Sequence, residues 1–339
     1  PKFFYPNTFI PESPTQSIDG FYMEENNSLD VIFLGPSHMV YGISPMRLYR
    51  DTGITSYNLG TSTQPVECSY YLLKEALKTQ SPQVVVMDVN NIFYDTEVDD
   101  AFWKIVINSM HMGQNKINLV LELAEDNSNY DILNVLNTIT YHDRSEELSM
   151  QDFEYFFMYK KCYSKGVFMN PVCRSGVYTE EDIENDVNTL AEKNIYKCQI
   201  NEDKLIWINM ISDLCQENNI IFIPTLIPSC NSLRWYEGSV YKQKYELLRE
   251  SLPNDNVFDF YSDGNISIDW TKDTSDYGAH LNYLGAIKAT DCIAGKLTNL
   301  VKHHSESKNI WKDDELIYNE IEKTIILKNT GTILIILNY

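Results

Sequence analysis

A chain of 339 residues, 43% hydrophobic and 22% charged, carries enough apolar material for a full core and is globular rather than disordered. Its formal net charge of −21 weighs against a nucleic-acid partner, which needs clustered Lys and Arg to displace counterions. No run approaches the ~18 consecutive apolar residues of a membrane span, and seven cysteines without CxxC or zinc spacing predict no metal centre.

Residues 1–29 carry four prolines and little periodicity, which predicts an extended surface arm. The opening "PKFFYPNTFIPE" has no initiating Met, and the expectation is that a leader or anchor precedes it in the full-length protein. The first strand is expected at Asp30–Leu34, ending in "GPSH". In "SPMRLYRDTG", Ser44 suits an N-cap, Pro45 the first helical position and Gly53 the stop. Ser37 to Ile43 is then expected as a loop. A short strand at Ser56–Leu59 ends in Gly60, and Pro65 opens a helix through "VECSYYLLKEALKTQ". "QVVVMDV" is the continuous β-branched run of a strand buried on both faces of a parallel sheet.

This strand–helix alternation predicts an α/β fold: a three-layer, doubly wound, mainly parallel sheet. The rhythm breaks over residues 96–199, which are acidic, aromatic and helical in pattern, and read as an insertion or cap. Within it Glu180 to Asp186, like Glu97 to Asp100 at its start, reads as a solvated face. It resumes with the helix "KLIWINMISDLCQENN", the strand "IIFIPTLIP", the helix "YKQKYELLRESL", the strand "NVFDFYS" and a last helix over Asn282–Val301. The α/β core is thus placed at 30–95 and 200–301. Residues 302–339 are expected as a polar tail ending in a β-like segment, "TIILKNTGTILIILNY", turning at Asn329 and Gly331. Cys162 and Cys173 would bridge in an oxidising compartment, and the odd cysteine total leaves at least one thiol free.

Ligands of open α/β sheets bind beyond the carboxyl ends of the strands. Ser37, Gly60 and the pair Asn90 and Asn91 follow the first three strands, so topology brings them to one edge. A serine becomes a nucleophile when a base takes its proton and donors await the oxyanion. His38 adjoins Ser37 and cannot easily turn onto it. His280, in "DTSDYGAHLNYLG", lies on a loop returning to the same edge, and either Asp276 or Asp273 would orient its ring.

"FLGPSHMVYGISP", "YNLGTSTQP" and "DYGAHLNYLGAIKAT", in this order, resemble the SGNH/GDSL hydrolase superfamily. The nearer resemblance is to its bacterial cell-envelope branch, which includes the D-alanine transfer protein of lipoteichoic acid and partners of membrane-bound O-acyltransferases. The resemblance implies a flavodoxin-like fold, a Ser37–His280–Asp276 triad, and an oxyanion hole from the Ser37 N–H, Gly60 and Asn91 or Asn90. "TYHDRSEELSMQDFEYF" resembles an insertion segment of that branch, implying that His142 and Arg144 face the substrate. It further implies an extracytoplasmic, membrane-anchored protein without cofactor, acting on an acylated or acyl-accepting glycan or teichoic acid beside a membrane-bound O-acyltransferase. The 23 Tyr would suit stacking on sugar rings as well as packing. Two other readings compete: a non-catalytic glycan-binding scaffold on a degenerate fold, and, more weakly, a nucleotide-binding protein, although no GxGxxG or GxxxxGK[ST] follows any strand.

Overall fold

Side chains on a strand point alternately to opposite faces, so a strand with no polar residue must be covered on both. A computed structural model describes residues 14–93, 98–126, 161–169, 199–229, 240–252, 256–302 and 308–329, with residues 179 and 181. In it β1 (Val31–Leu34), β2 (Ser56–Asn58), β3 (Val84–Asp88) and β4 (Ile221–Thr225) form a parallel sheet in the order β2-β1-β3-β4. Val31, Phe33, Val84, Val86 and Ile223 face one core, and Ile32, Leu34, Val85, Met87 and Phe222 face the other.

Helices cover both faces. The intervening helices, in chain order, are α1 (Pro14–Phe21), α2 (Ser37–Gly42), α3 (Pro45–Thr52), α4 (Val66–Ala76), α5 (Asp100–Ser109), α6 (Gln114–Asp126), α7 (Glu202–Glu217) and α8 (Val240–Ser251). A two-stranded hairpin, β5 (Thr274–Ser275) with β6 (His280–Leu281), precedes α9 (Tyr283–Leu300) and α10 (Lys308–Asn329). Residues of α2, α3 and α9 line the first core, while α1, α4, α5, α6, α7 and α8 line the second. The expected α/β class and parallel sheet are thus present, and the order is compatible with a flavodoxin-like three-layer fold.

Ser44 caps α3 by accepting from the Arg47 N–H at 3.3 Å, and Gly53 ends it with φ of 74°. Four other expectations are corrected. Part of the N-terminal arm is the helix α1, whose Ile18 and Phe21 are buried one turn apart. Ser37–Gly42 is a short helix, not a loop, because the Pro36 carbonyl accepts the Met39 and Val40 amides. The strand expected at "NVFDFYS" reduces to one parallel bridge between Thr225 and Phe258. There the Asp259 carboxylate accepts the Tyr261 and Ser262 amides, a local turn that competes with the ladder.

The fourth correction is the C-terminal tail. Residues 308–329 form the continuous helix α10, and its buried stripe is Trp311, Asp314, Tyr318 and Glu322. Two of those four positions are acids, which hid the helical period from an apolar pattern search. The acids are paired: Asp314 accepts Lys161 and the fully buried Lys165, each at 2.7 Å, and Lys165 also reaches Glu24 at 2.7 Å. Tyr318 touches the hydroxyls of Ser44 and Tyr283, and Glu322 accepts from Tyr283 at 2.6 Å. Residues 330–339 lie outside the described residues. So does Cys173, while Cys162 is buried with its Sγ 3.4 Å from the Ser164 hydroxyl.

Removing one member of a buried charge cluster leaves the others uncompensated. Lys165→Met is expected to destabilise the fold by about 3–5 kcal/mol in denaturant unfolding, with Glu24→Gln in the same background recovering part of the loss.

Candidate active site

The order β2-β1-β3-β4 reverses direction at β1, and the crevice at such a switch point is where open α/β sheets bind ligands. Ser37 follows β1 after two residues. Gly35 there has φ of 138°, and a Cβ on it would stand 2.9 Å from the Asp88 carbonyl, so only glycine lets β1 leave the sheet this close to β3. Pro36 precedes α2 in extended conformation, and Ser37 is partly exposed. Ser37 opens α2, and its N–H has no acceptor among the described residues.

Asn58, the last residue of β2, holds α2 in place. Its Nδ2 donates to the carbonyls of Met39 and Ile43, and its Oδ1 accepts the Gly60 N–H at 3.1 Å. Its backbone donates to Lys165 O and accepts the Ser17 hydroxyl. Every hydrogen-bonding group of this buried residue is therefore used.

The candidate base, His280, arrives on the β5–β6 hairpin. Ser275 pairs with His280 across it, and Asp276–Gly278 form the turn, with Asp276 at φ of 51° and Gly278 at 81°. Asn282 closes the hairpin: its Nδ2 donates to the carbonyls of Lys272 and Thr274, and its Oδ1 caps α9. The result brings together residues 243 apart: His280 Nε2 lies 2.8 Å from Ser37 Oγ.

The chain matches no family model and no curated protein.

Burial, and then the charge of neighbouring His38, lower the His280 pKa to about 4, against the pull of Asp276. The ring is therefore neutral through the physiological range and free to accept a proton at Nε2. That role places its own proton on Nδ1, which faces Asp276 Oδ2 at 3.4 Å. The alignment there falls short of a hydrogen bond, and Asp276 is 45% exposed. Asp273, the other candidate, is turned away: its carboxylate accepts Lys288 at 2.5 Å and the Asp269 N–H at 2.7 Å. His38 does not contact the serine hydroxyl; its ring lies beside that of His280, centroids 5.4 Å apart, and burial holds its pKa down to about 4.

The expected oxyanion donors are placed differently. The Gly60 N–H is taken by Asn58, and Asn91 Nδ2 donates to the Gln64 carbonyl at 2.9 Å. Asn90 spends its N–H on Asp88, and its Oδ1 accepts Lys244 at 2.8 Å. The Ser37 N–H has no acceptor among the described residues. His142 and Arg144 lie outside the described residues. No group of three His, Cys, Asp or Glu is placed to hold a metal ion, and no helix is long and apolar enough to cross a membrane, among the described residues.

Asn58 and Tyr41, whose ring lies 4.7 Å from that of His280, were not singled out in the sequence. An asparagine ending a buried strand was the available signal for the first. A helical reading of 37–42, which sets Tyr41 one turn from Ser37, was the signal for the second.

Asn58→Ala strips donors from two buried carbonyls and is expected to cost at least about 2 kcal/mol in denaturant unfolding. Asn58→Asp, isosteric but without the Nδ2 donor, is expected to lose stability comparably.

Proposed function

We propose that this protein is a serine-dependent acyl-transfer enzyme of the SGNH type, working through an acyl-Ser37 intermediate on a cell-envelope glycan or teichoic acid outside the cytoplasm. The single observation carrying the reading is the 2.8 Å approach of His280 Nε2 to Ser37 Oγ at the switch point of the sheet. The substrate class, a membrane-bound O-acyltransferase partner and the flavodoxin-like superfamily fold rest on the sequence resemblance.

In this mechanism Ser37 Oγ attacks the acyl carbonyl as its proton passes to His280 Nε2. The tetrahedral oxyanion forms beside the Ser37 N–H. Collapse breaks the bond to the leaving group, which takes the proton from His280, and the acyl group remains on Ser37. Water or an acceptor hydroxyl then repeats the sequence, returning a free serine. With water the enzyme is an esterase, and with a glycan hydroxyl it is an O-acyltransferase.

A non-catalytic binding reading draws on one observation: the amides of Gly60 and Asn91 are satisfied inside the protein, which leaves the oxyanion fewer donors. Labelling with a fluorophosphonate and turnover of p-nitrophenyl acetate separate the two. Wild type is expected to label and turn over, and Ser37→Ala or His280→Ala to lose roughly 10³-fold or more in kcat. Labelling that persists in Ser37→Ala would sink the nucleophile assignment, and an inert wild type favours the binding protein.

Two further outcomes follow from the electrostatics. A neutral base is required, so kcat/KM is expected to fall only as pH drops through about 4, the value burial sets for His280, instead of through the ordinary imidazole value of 6.5. Asp276→Asn is expected to reduce kcat by less than about 10-fold, because the carboxylate is half exposed and misaligned with Nδ1.

A further inference from the structure

A serine–histidine pair works only if the imidazole is held in one orientation, and in most such sites a buried carboxylate on Nδ1 does this. Here the carboxylate contact is long, misaligned and exposed. Something else must fix the ring. The helix that carries Ser37 also carries His38 and Tyr41, which stand three residues apart and so share a face of α2. Both rings pack on His280, with centroids 5.4 Å and 4.7 Å away and interplanar angles of 36° and 50°.

Tyr41 is itself braced. Phe168, from the segment 161–169, meets it edge-on at 5.3 Å with an interplanar angle of 83°. The Phe168 N–H donates to the Val40 carbonyl at 2.9 Å, which fixes that segment to the same helix. A chain of contacts thus runs from Phe168 through Tyr41 to the imidazole.

We propose that Tyr41 is a positioning residue for His280: with His38 it forms an aromatic cradle on the nucleophile's own helix that sets the imidazole orientation in place of a firmly bonded carboxylate. The inference rests on the Ser37–His280 reading for its catalytic meaning, but the cradle itself is a physical claim about one ring. Because nucleophile and cradle share one six-residue helix, a shift of α2 carries both, and the relation of Oγ to Nε2 is preserved. Covering the ring also excludes water from it, consistent with the lowered His280 pKa.

The test uses Tyr41→Phe, Tyr41→Ala and Phe168→Ala in the whole chain. The His280 ring titration, followed by NMR, reads the cradle independently of activity. Its charged neighbours His38 and Asp276 are unchanged in all three variants. Tyr41→Ala is expected to raise the His280 pKa from about 4 toward the ordinary imidazole value, while Tyr41→Phe stays near wild type. In p-nitrophenyl acetate turnover, normalised to sites labelled by fluorophosphonate, Tyr41→Ala is expected to lower kcat about 10- to 100-fold with little change in KM. Tyr41→Phe is expected to restore most of that loss, and Phe168→Ala to fall between. An unshifted titration in Tyr41→Ala overturns the cradle, whatever the activity. A Tyr41→Phe variant as impaired as Tyr41→Ala also overturns it, by assigning the effect to the hydroxyl. If Ser37→Ala remains active while the titration shifts as expected, the cradle stands and the catalytic reading falls.

Discussion

The candidate site depends on one saturated side chain. Asn58 sits where β2 leaves the sheet, and its amide bonds to the carbonyls of Met39 and Ile43, midway along and just beyond the helix that begins with Ser37. A helix of six residues has little intrinsic stability, because nucleation is unfavourable and few propagating bonds follow. The two Asn58 bonds tie it to β2 from outside, one on the Met39 carbonyl that also accepts the Ile43 N–H and one just past its end. The same asparagine takes the Gly60 N–H and is fixed from outside by Ser17 and Lys165, so the serine's placement is tied to α1 and to the segment 161–169. Gly60 is required by the same crowding: a Cβ there would stand 2.9 Å from the Gly35 carbonyl.

Much of this was legible in the sequence, for identifiable reasons. The β-branched runs at 31–34 and 84–88 could only be strands buried on both faces, and a parallel sheet sends its following loops to one edge. That rule alone placed Ser37, Gly60, Asn90 and Asn91 together. His280 was found because it lies just before the last helix, on a loop that the sheet order returns to the same edge. What stayed hidden was whatever depends on pairing across distance. The stripe of α10 contains Asp314 and Glu322, polar until Lys165, Tyr283 and Arg50 are seen beside them. "NVFDFYS" has a strand's composition, and the side chain of Asp259 turns it. Amide commitments were beyond reach for the same reason: that Asn91 Nδ2 would serve the Gln64 carbonyl follows from packing, not spacing.

The electrostatics at the edge are set more by burial than by charge pairing. Two histidines lie side by side with their pKa values lowered, in both first by burial, then by the charge of Lys244 at His38 and of His38 at His280. Beneath them Asp88 is raised to about 6 by burial, although both its oxygens accept amides, from Asn90 and Ile227. Linkage gives these groups opposite signs. The histidines bind fewer protons folded than unfolded between about pH 4 and 6.5, so they weaken the fold as pH falls through that window. Asp88 binds more, so it weakens the fold as pH rises from about 3.8 to 6. Their overlap flattens the net acid dependence of the site region.

The buried Lys165 has a temporal side. Its partners come from residues 24 and 314, on either side of it along the chain. A ribosome adds residues in order, and domains fold as units once their segments have emerged. Until Asp314 emerges, Lys165 has only Glu24 for a buried partner, and Trp311 is not yet there to lie 4.6 Å from its ammonium. Long-range closure of this kind slows folding. The charge balance is therefore complete only once α10 has emerged, and a nascent chain halted before it would hold the Ser37 segment and His280 without the helix that neutralises Lys165.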